Sequence, residues 1–320
     1  MPLLSRSLAA VLGASICLSA QTTPPVPDDG RATFTADTRL VLLPISVADK
    51  NGKLITNLPR EAFKVYENGV EQAIKVFRRE DVPISLGIII DNSGSMRDKR
   101  AKVETAALDL VKASNPRDEV FVVNFNDEAY LDQPFTNDIK KLEEGVARID
   151  SRGGTAMRDA ISMSIDYLKE KGKKDKKVLL VVTDGNDTAS SGTLEKLIDK
   201  ARDSSVLIYA IGLLNEEERR EAHKAKRALD AITKESGGLS FYPKDVTEVD
   251  HIALQVAQDI RNQYTIAYSP SIQALDGSFR QIKVAVNGPG HPTVRTRTGY
   301  YATPNAAPKK AAVTPGGAQP

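Results

Sequence analysis

Three short stretches of this sequence consist almost wholly of aliphatic side chains: residues 84–90, 178–182 and 206–211. A strand with one wet face alternates apolar and polar residues. An unbroken apolar run is the mark of a strand buried on both faces. The segments between them have helical spacing. Val103, Ala106, Ala107, Leu110 and Val111 share one face of a helix expected over 99–113, and Met157, Ile161, Ile165 and Leu168 share one face over 156–169. Further helices are expected over 138–148, around Leu194, Leu197, Ile198 and Ala201, and over 216–236 and 246–261. Strands are expected over 120–125 and near 239–242. Strands alternating with helices at this spacing predict an α/β fold. Its centre is a doubly wound, mostly parallel sheet with helices on both faces.

The flanks read differently. Val41, Leu43, Ile45 and Val47 alternate, Asn51-Gly52 marks a turn, and Phe63 and Val65 begin a strand that ends at Glu67-Asn68-Gly69. Ile74 and Val76, with Gln72, continue the alternation. Near the other end Tyr264, Ile266 and Tyr268 alternate, as do Ile282, Val284 and Val286, and residues 294–298 form a last strand. Neither flank has enough strands to bury a core alone. The expectation is that 37–80 and 264–301 together build one small β-sandwich into which the α/β domain, 81–263, is inserted. The alternative is two separate β appendages.

The first twenty residues read as a secretory signal peptide: Arg6, an apolar stretch over 8–18, and small residues Ser19-Ala20 before Gln21. An uncleaved anchor is the alternative. Residues 21–36 read as a flexible linker and 302–320 as a disordered tail. The single cysteine, Cys17, lies inside the signal, so no disulfide or cysteine metal site is expected in the exported protein. No later apolar run is long enough to predict a membrane span. A formal charge of +2, 5% aromatics and no tryptophan give neither the basic groove nor the stacking platforms of a nucleic-acid binder.

Chemistry concentrates in three loops. Asp91-Asn92-Ser93-Gly94-Ser95 follows the run 84–90, Thr183-Asp184-Gly185 follows the run 178–182, and Gly153-Gly154-Thr155 precedes a helix. In an open parallel sheet, ligands bind beyond the carboxyl ends of the strands, where these loops belong. Two carboxylates and three hydroxyls suit a hard, oxygen-loving divalent cation. The alternation Asp-x-Ser-x-Ser lets three side chains of one loop converge, with Gly94 expected to permit the tight backbone. Two carboxylates balance a +2 ion and leave a position for an outside carboxylate. Taken singly, Asp91, Ser93 and Thr155 could instead cap helices, and Asp184-Gly185 could be a plain turn.

Together, Asp91, Ser93, Ser95, Thr155 and Asp184 resemble the metal-ion-dependent adhesion site of von Willebrand factor A (VWA) domains, over about residues 82–262. The resemblance implies that Ser93 and Ser95 bind the metal directly. Thr155 would join in a high-affinity state, and Asp91 and Asp184 would act through bound water and orient the serines. A partner's Asp or Glu would complete the shell. In the flanks, Asp49-x-x-Gly52, Phe63-x-Val65-x-Glu67-Asn68-Gly69 and Arg297-x-Gly299-Tyr300 resemble an exported bacterial VWFA-related family.

The expected function is therefore a periplasmic or extracellular binding module. Mg²⁺, or Mn²⁺ or Ca²⁺, would bridge the chain to a carboxylate of a protein partner, in adhesion or envelope assembly. A metal-dependent hydrolase and a scaffold stapled by its metal are the alternatives. Against the hydrolase, no histidine accompanies the loops and no nucleophile elbow, Walker loop or His-x-x-x-His pair is present. His223, His251 and His291 lack metal-ligand spacing, and Asp98 and Asp159 lie near the loops. Asp159 is expected to favour the start of its helix through the dipole.

Overall fold

A computed structural model describes residues 39–79, 81–147, 151–214 and 218–304. The expected signal peptide, linker and tail lie outside these residues, apart from the first residues of the tail.

The central sheet has six strands: β5 (Ile84–Asp91), β6 (Glu119–Phe125), β7 (Ala129–Thr136), β8 (Lys176–Thr183), β9 (Leu207–Gly212) and β10 (Ser240–Phe241). Their order is β10-β9-β8-β5-β6-β7, parallel except for β7. Every residue of β5 and β9 is buried, which is why those runs lack polar alternation. Helices α1 (Arg100–Lys112), α2 (Ile139–Ala147) and α6 (Val249–Arg261) cover one face, packing on Leu86, Ile88 and Ile90. Helices α3 (Met157–Lys171), α4 (Leu194–Ser204) and α5 (Arg219–Ser236) cover the other, against Ile89, Phe121 and Val181. Gly87 faces that second layer. A Cβ there would lie 2.3 Å from Phe121 Cζ, so its absence admits the ring.

The flanks close on one another. Strands β1 (Val41–Ala48), β2 (Phe63–Glu67), β3 (Val70–Gln72) and β4 (Ile74–Arg78) precede the α/β segment. Strands β11 (Tyr264–Tyr268), β12 (Phe279–Val286), β13 (Thr293–Arg295) and β14 (Gly299–Tyr301) follow it. They interleave as two four-stranded sheets, β13-β1-β11-β4 and β14-β12-β2-β3. Leu43, Ile45, Val65, Tyr264, Ile266 and Tyr268 fill the space between, each at most 1% exposed. The α/β fold inserted in a β-sandwich is thus the architecture of the chain.

Two details depart from the expectation. The alternation over residues 72–76 is not one strand: β3 pairs with β2, whereas β4 pairs with β11 in the opposite sheet. Strand β7 was not expected at all. It is a partly exposed edge strand carrying Asp132 and Pro134, so its pattern lacks a buried face.

A buried polar cluster ties the sandwich to the α/β layers. Asp259 of α6 receives two hydrogen bonds from Arg295 of β13, at 2.9 and 3.0 Å, and one from the Tyr209 hydroxyl of β9 at 2.7 Å. Gln263 donates both to that hydroxyl and to Ser46 of β1, each at 3.0 Å.

Candidate metal centre

The fold brings the three loops to one place. Asp91 ends β5 and Thr183 ends β8, neighbouring parallel strands, so both loops leave the same carboxyl edge of the sheet. The third loop is drawn in by its backbone. The Arg152 N–H donates to the Asn92 carbonyl at 3.1 Å, and the Ala156 N–H donates to the Asn126 carbonyl at 2.6 Å.

Within the site, a chain of contacts links three of the five expected residues. Ser93 Oγ and Ser95 Oγ are 3.1 Å apart, and Ser95 Oγ donates to Asp184 Oδ1 at 2.8 Å. Asp91 lies behind them, fully buried. Its Oδ1 accepts the Ser93 N–H at 2.8 Å and its Oδ2 accepts the Thr183 hydroxyl at 2.6 Å. Burial pushes the Asp91 carboxyl up to about 6, against the lowering effect of the Thr183 and Ser93 hydrogen bonds. Thr155 is buried and is held by its backbone. Its N–H donates to Thr188 Oγ1 at 3.0 Å and its carbonyl accepts from the Thr188 and Ala189 N–H groups. Ser95 alone of the five is exposed.

The capping reading of these residues does not hold. Ser93 precedes the 3-10 turn Gly94–Met96 without a side-chain cap bond, and the N-caps of α1 and α3 are Lys99 and Ala156, also without one. Gly94 is not needed for its backbone: its φ is ordinary and a Cβ there would meet nothing within 4 Å. The conformational demand falls on Gly153 instead. It has φ +78°, and a Cβ there would lie 2.1 Å from Asp127 Oδ2, while Asp127 Oδ1 accepts the Gly154 N–H at 2.6 Å.

The charge count also needs correction. Lys99 Nζ lies 2.6 Å from Asp184 Oδ2, with the Asp184 side chain only 1% exposed, and reaches the Leu213 carbonyl at 3.5 Å. The two carboxylates therefore share a site with one ammonium, and their local sum is −1 rather than −2. Nothing in the spacing of Lys99 marked it, because it lies four residues past Ser95, across a turn whose direction only the tertiary structure sets. Thr188 was missed for the same reason, since it holds Thr155, and the role of Thr183 within its motif, donating to Asp91, was likewise not foreseen.

The donors fit a hard divalent ion: two hydroxyls at 3.1 Å, a carboxylate hydrogen-bonded to one of them, and the buried carboxylate of Asp91. The Oδ1 of Asn92, inside the motif, is buried with no hydrogen-bond partner. Among the described residues, no three His, Cys, Asp or Glu side chains group as metal ligands, so any ion here would rest on hydroxyls. Asp98 is exposed. Asp159, in the first turn of α3, caps a different loop. Burial would raise its carboxyl, but the Ser191 and Gly192 N–H groups and the Ser191 hydroxyl outweigh this and lower it.

Residues 86–186 match the von Willebrand factor type A domain model. Over those residues the chain is similar to a VWA domain. Its sequence is 25% identical over 169 residues to mouse calcium-activated chloride channel regulator 1, covering 49% of this chain and 17% of that protein. It is 22% identical over 146 residues to bovine inter-alpha-trypsin inhibitor heavy chain H4, covering 41% and 16%. It is 34% identical over 86 residues to human integrin alpha-11, covering 26% and 7%. The match thus spans less than a fifth of each relative. Among solved structures, the vWF domain of the type V pili tip protein Mfa5 from Porphyromonas gingivalis aligns with TM-score 0.46 and 13% identity, covering 56% of this chain and 97% of that one. Proximal thread matrix protein 1 from the mussel byssus, solved with a zinc-occupied MIDAS motif, aligns with TM-score 0.47 and 16% identity, covering 61% and 50%. Among the described residues, no helix is long and apolar enough to cross a membrane.

Proposed function

We propose that this protein is an exported binding module that captures a protein partner through a divalent metal ion held by Asp91, Ser93, Ser95, Thr155 and Asp184. Mg²⁺ is the expected ion, with Mn²⁺ or Ca²⁺ as substitutes, and an Asp or Glu of the partner is the expected last ligand. The domain borders that go with this reading are 37–80 and 264–301 for the sandwich and 81–263 for the VWA domain. The observation that carries it is the contact chain Ser93–Ser95–Asp184 at the carboxyl edge of the sheet, with Ser95 open to solvent. Binding is favoured over hydrolysis because Asp91, the carboxyl of these loops that is raised toward neutrality, is fully buried and already engaged by Ser93 and Thr183. A general base must reach its substrate within hydrogen-bond distance.

Calorimetric titration with Mg²⁺ and Mn²⁺ tests the metal. Wild-type protein should bind one ion per chain, and Ser93→Ala with Ser95→Ala should abolish the heat without unfolding the protein. Absence of binding by a folded wild type overturns the reading. Capture of a partner from an envelope extract should be lost with chelator and with Asp184→Ala alike.

A further inference from the structure

The third loop of the site is fixed at the end of β6. Consecutive residues there bond to separate segments of the chain. Asn124 Nδ2 donates to the Gly145 carbonyl of α2 at 3.0 Å, the Phe125 carbonyl accepts the Asn92 N–H at 2.6 Å, and the Asn126 carbonyl accepts the Ala156 N–H at 2.6 Å. One strand end thus holds the close of α2, the serine loop and the start of α3. Register places Asn124 there: it pairs with Ile90, the residue before Asp91.

A second side chain converges on α2. Arg100 opens α1, just after the serine loop, and is buried. Its Nη2 donates to the Val146 carbonyl at 2.7 Å and its Nε to Glu104 at 2.8 Å. The last carbonyls of a helix have no partner within it. Here they are buried and need donors from elsewhere, which Arg100 and Asn124 supply. A cation also suits that end of the helix dipole. Asn124 Nδ2 donates to Asp132 Oδ2 as well, at 2.6 Å, which ties β7 into the cluster. Gly145 lets α2 come this close to β7: a Cβ there would lie 2.6 Å from Gln133 Cβ. Burial lowers the Arg100 pKa, while Glu104, Asp132 and Asp91 favour its charged form.

We infer that Arg100 and Asn124 are positioning residues, which clamp the end of α2 so that the loop carrying Thr155 stands against the loop of Ser93 and Ser95. The inference rests on the metal-bridged reading above and adds to it two side chains that act through Thr155. The connection from α2 to α3 is then held at both ends: by these two donors at Gly145 and Val146, and by Asn92 and Asn126 at Arg152 and Ala156. Charge alone makes the opposite claim for Arg100. A buried guanidinium near Asp91 repels a divalent ion, so its removal should tighten metal binding if charge were its whole role. Acting through Thr155, its removal weakens binding.

The experiment uses the full chain and Mg²⁺ alone. Calorimetry measures affinity for wild type, Arg100→Met, Asn124→Leu and Thr155→Ala, and for Thr155→Ala combined with each of the other two. Hydrogen exchange in chelator follows the Arg152 and Ala156 amides, with those of Val181 and Ala210 in the central sheet as the check on folding. Arg100→Met and Asn124→Leu should each weaken Mg²⁺ binding about tenfold and quicken exchange at Arg152 and Ala156 by about the same factor, while the sheet amides keep their rates. Thr155→Ala should weaken wild type, but cost less than about twofold more in either background. Asn124→Leu removes no charge and extends a strand face already lined by Val120 and Val122, so it carries the test if Arg100→Met fails to fold. Tighter Mg²⁺ binding by Arg100→Met, an undiminished loss from Thr155→Ala in both backgrounds, or unchanged exchange at Arg152 and Ala156 overturns the inference. A folded wild type that binds no Mg²⁺ sinks the metal reading, and faster exchange at those two amides in the variants would then still support the clamp.

Discussion

Replacing Lys99 by Met is the sharpest perturbation of the site. Its ammonium is 2.6 Å from a carboxylate oxygen of Asp184, a side chain 1% exposed, and is itself 29% exposed. At an effective dielectric of about 20 the gross attraction at that distance is roughly 6 kcal/mol. Desolvation and side-chain ordering cancel most of it, leaving a net contribution of about 1–3 kcal/mol. Without Lys99, Asp184 retains its hydrogen bond from Ser95 but loses its counter-charge. The metal-free protein should therefore melt lower, by about 2–4 °C for each kcal/mol lost in a domain of this size. Metal binding should move the opposite way, because a divalent ion no longer competes with or is repelled by a resident cation. A gain of about 1–2 kcal/mol corresponds to roughly 5- to 30-fold tighter Mg²⁺ binding. Calorimetry measures the affinity, and melting curves with chelator and with saturating Mg²⁺ measure the linkage, since added ion stabilises by RT ln(1 + [L]/Kd). Lys99→Met should show a lower melting point in chelator and a larger rise on adding Mg²⁺. Mg²⁺ affinity unchanged or weaker in the variant would refute the competition argument.

Three further outcomes follow from the geometry. Gly153→Ala places a Cβ on a backbone with φ +78° and against Asp127, so it should lower stability by about 1–3 kcal/mol in denaturant titration and weaken metal binding through the Thr155 loop. Asp259→Ala leaves Arg295 and Tyr209 without their shared acceptor, at an expected cost of about 3 kcal/mol; a loss within experimental error would mean that the cluster does not hold the sandwich in place. Lys176 is buried against the end of α6, donating to the Ile260 carbonyl. Burial lowers its pKa from 10.5 to about 8, partly offset by Asp259, Asp81 and Asp118, while Arg261 lowers it further. The folded value lies below the unfolded one, so the burial cost is fully present below pH 8 and is relieved as pH rises from 8 to 10.5. Relative to Lys176→Met, wild type should gain roughly 3 kcal/mol over that range in chemical denaturation, and a flat difference would show that the ammonium is not desolvated.

Much of the central α/β fold was legible in residues 84–90, 178–182 and 206–211, because a strand covered on both faces has no position that water can occupy. The site motif was legible because Asp91 and Asp184 each stand at the end of such a strand. The flanking motifs were legible as pattern, but their meaning was not. Asp49 Oδ1 accepts the Asn51 and Lys53 N–H groups in a turn, Asn68 and Gly69 adopt positive φ in a hairpin, and Glu67 accepts the Tyr268 hydroxyl from the opposite sheet and the Tyr300 hydroxyl from its own. These are structural roles that no spacing announces, since Glu67 and Tyr300 are remote in sequence.

The sequence alone determined the class of fold and singled out five candidate oxygen donors, since burial and strand ends impose a local pattern that survives without knowledge of neighbours. Tertiary structure decided what surrounds them. The exchange of β3 and β4 between sheets, the approach of Lys99 to Asp184 and the convergence of Arg100 and Asn124 on the end of α2 all depend on how distant segments pack. Electrostatic interaction acts through space, so the charge of a site built from three loops can be counted only once a fourth side chain has been placed beside them.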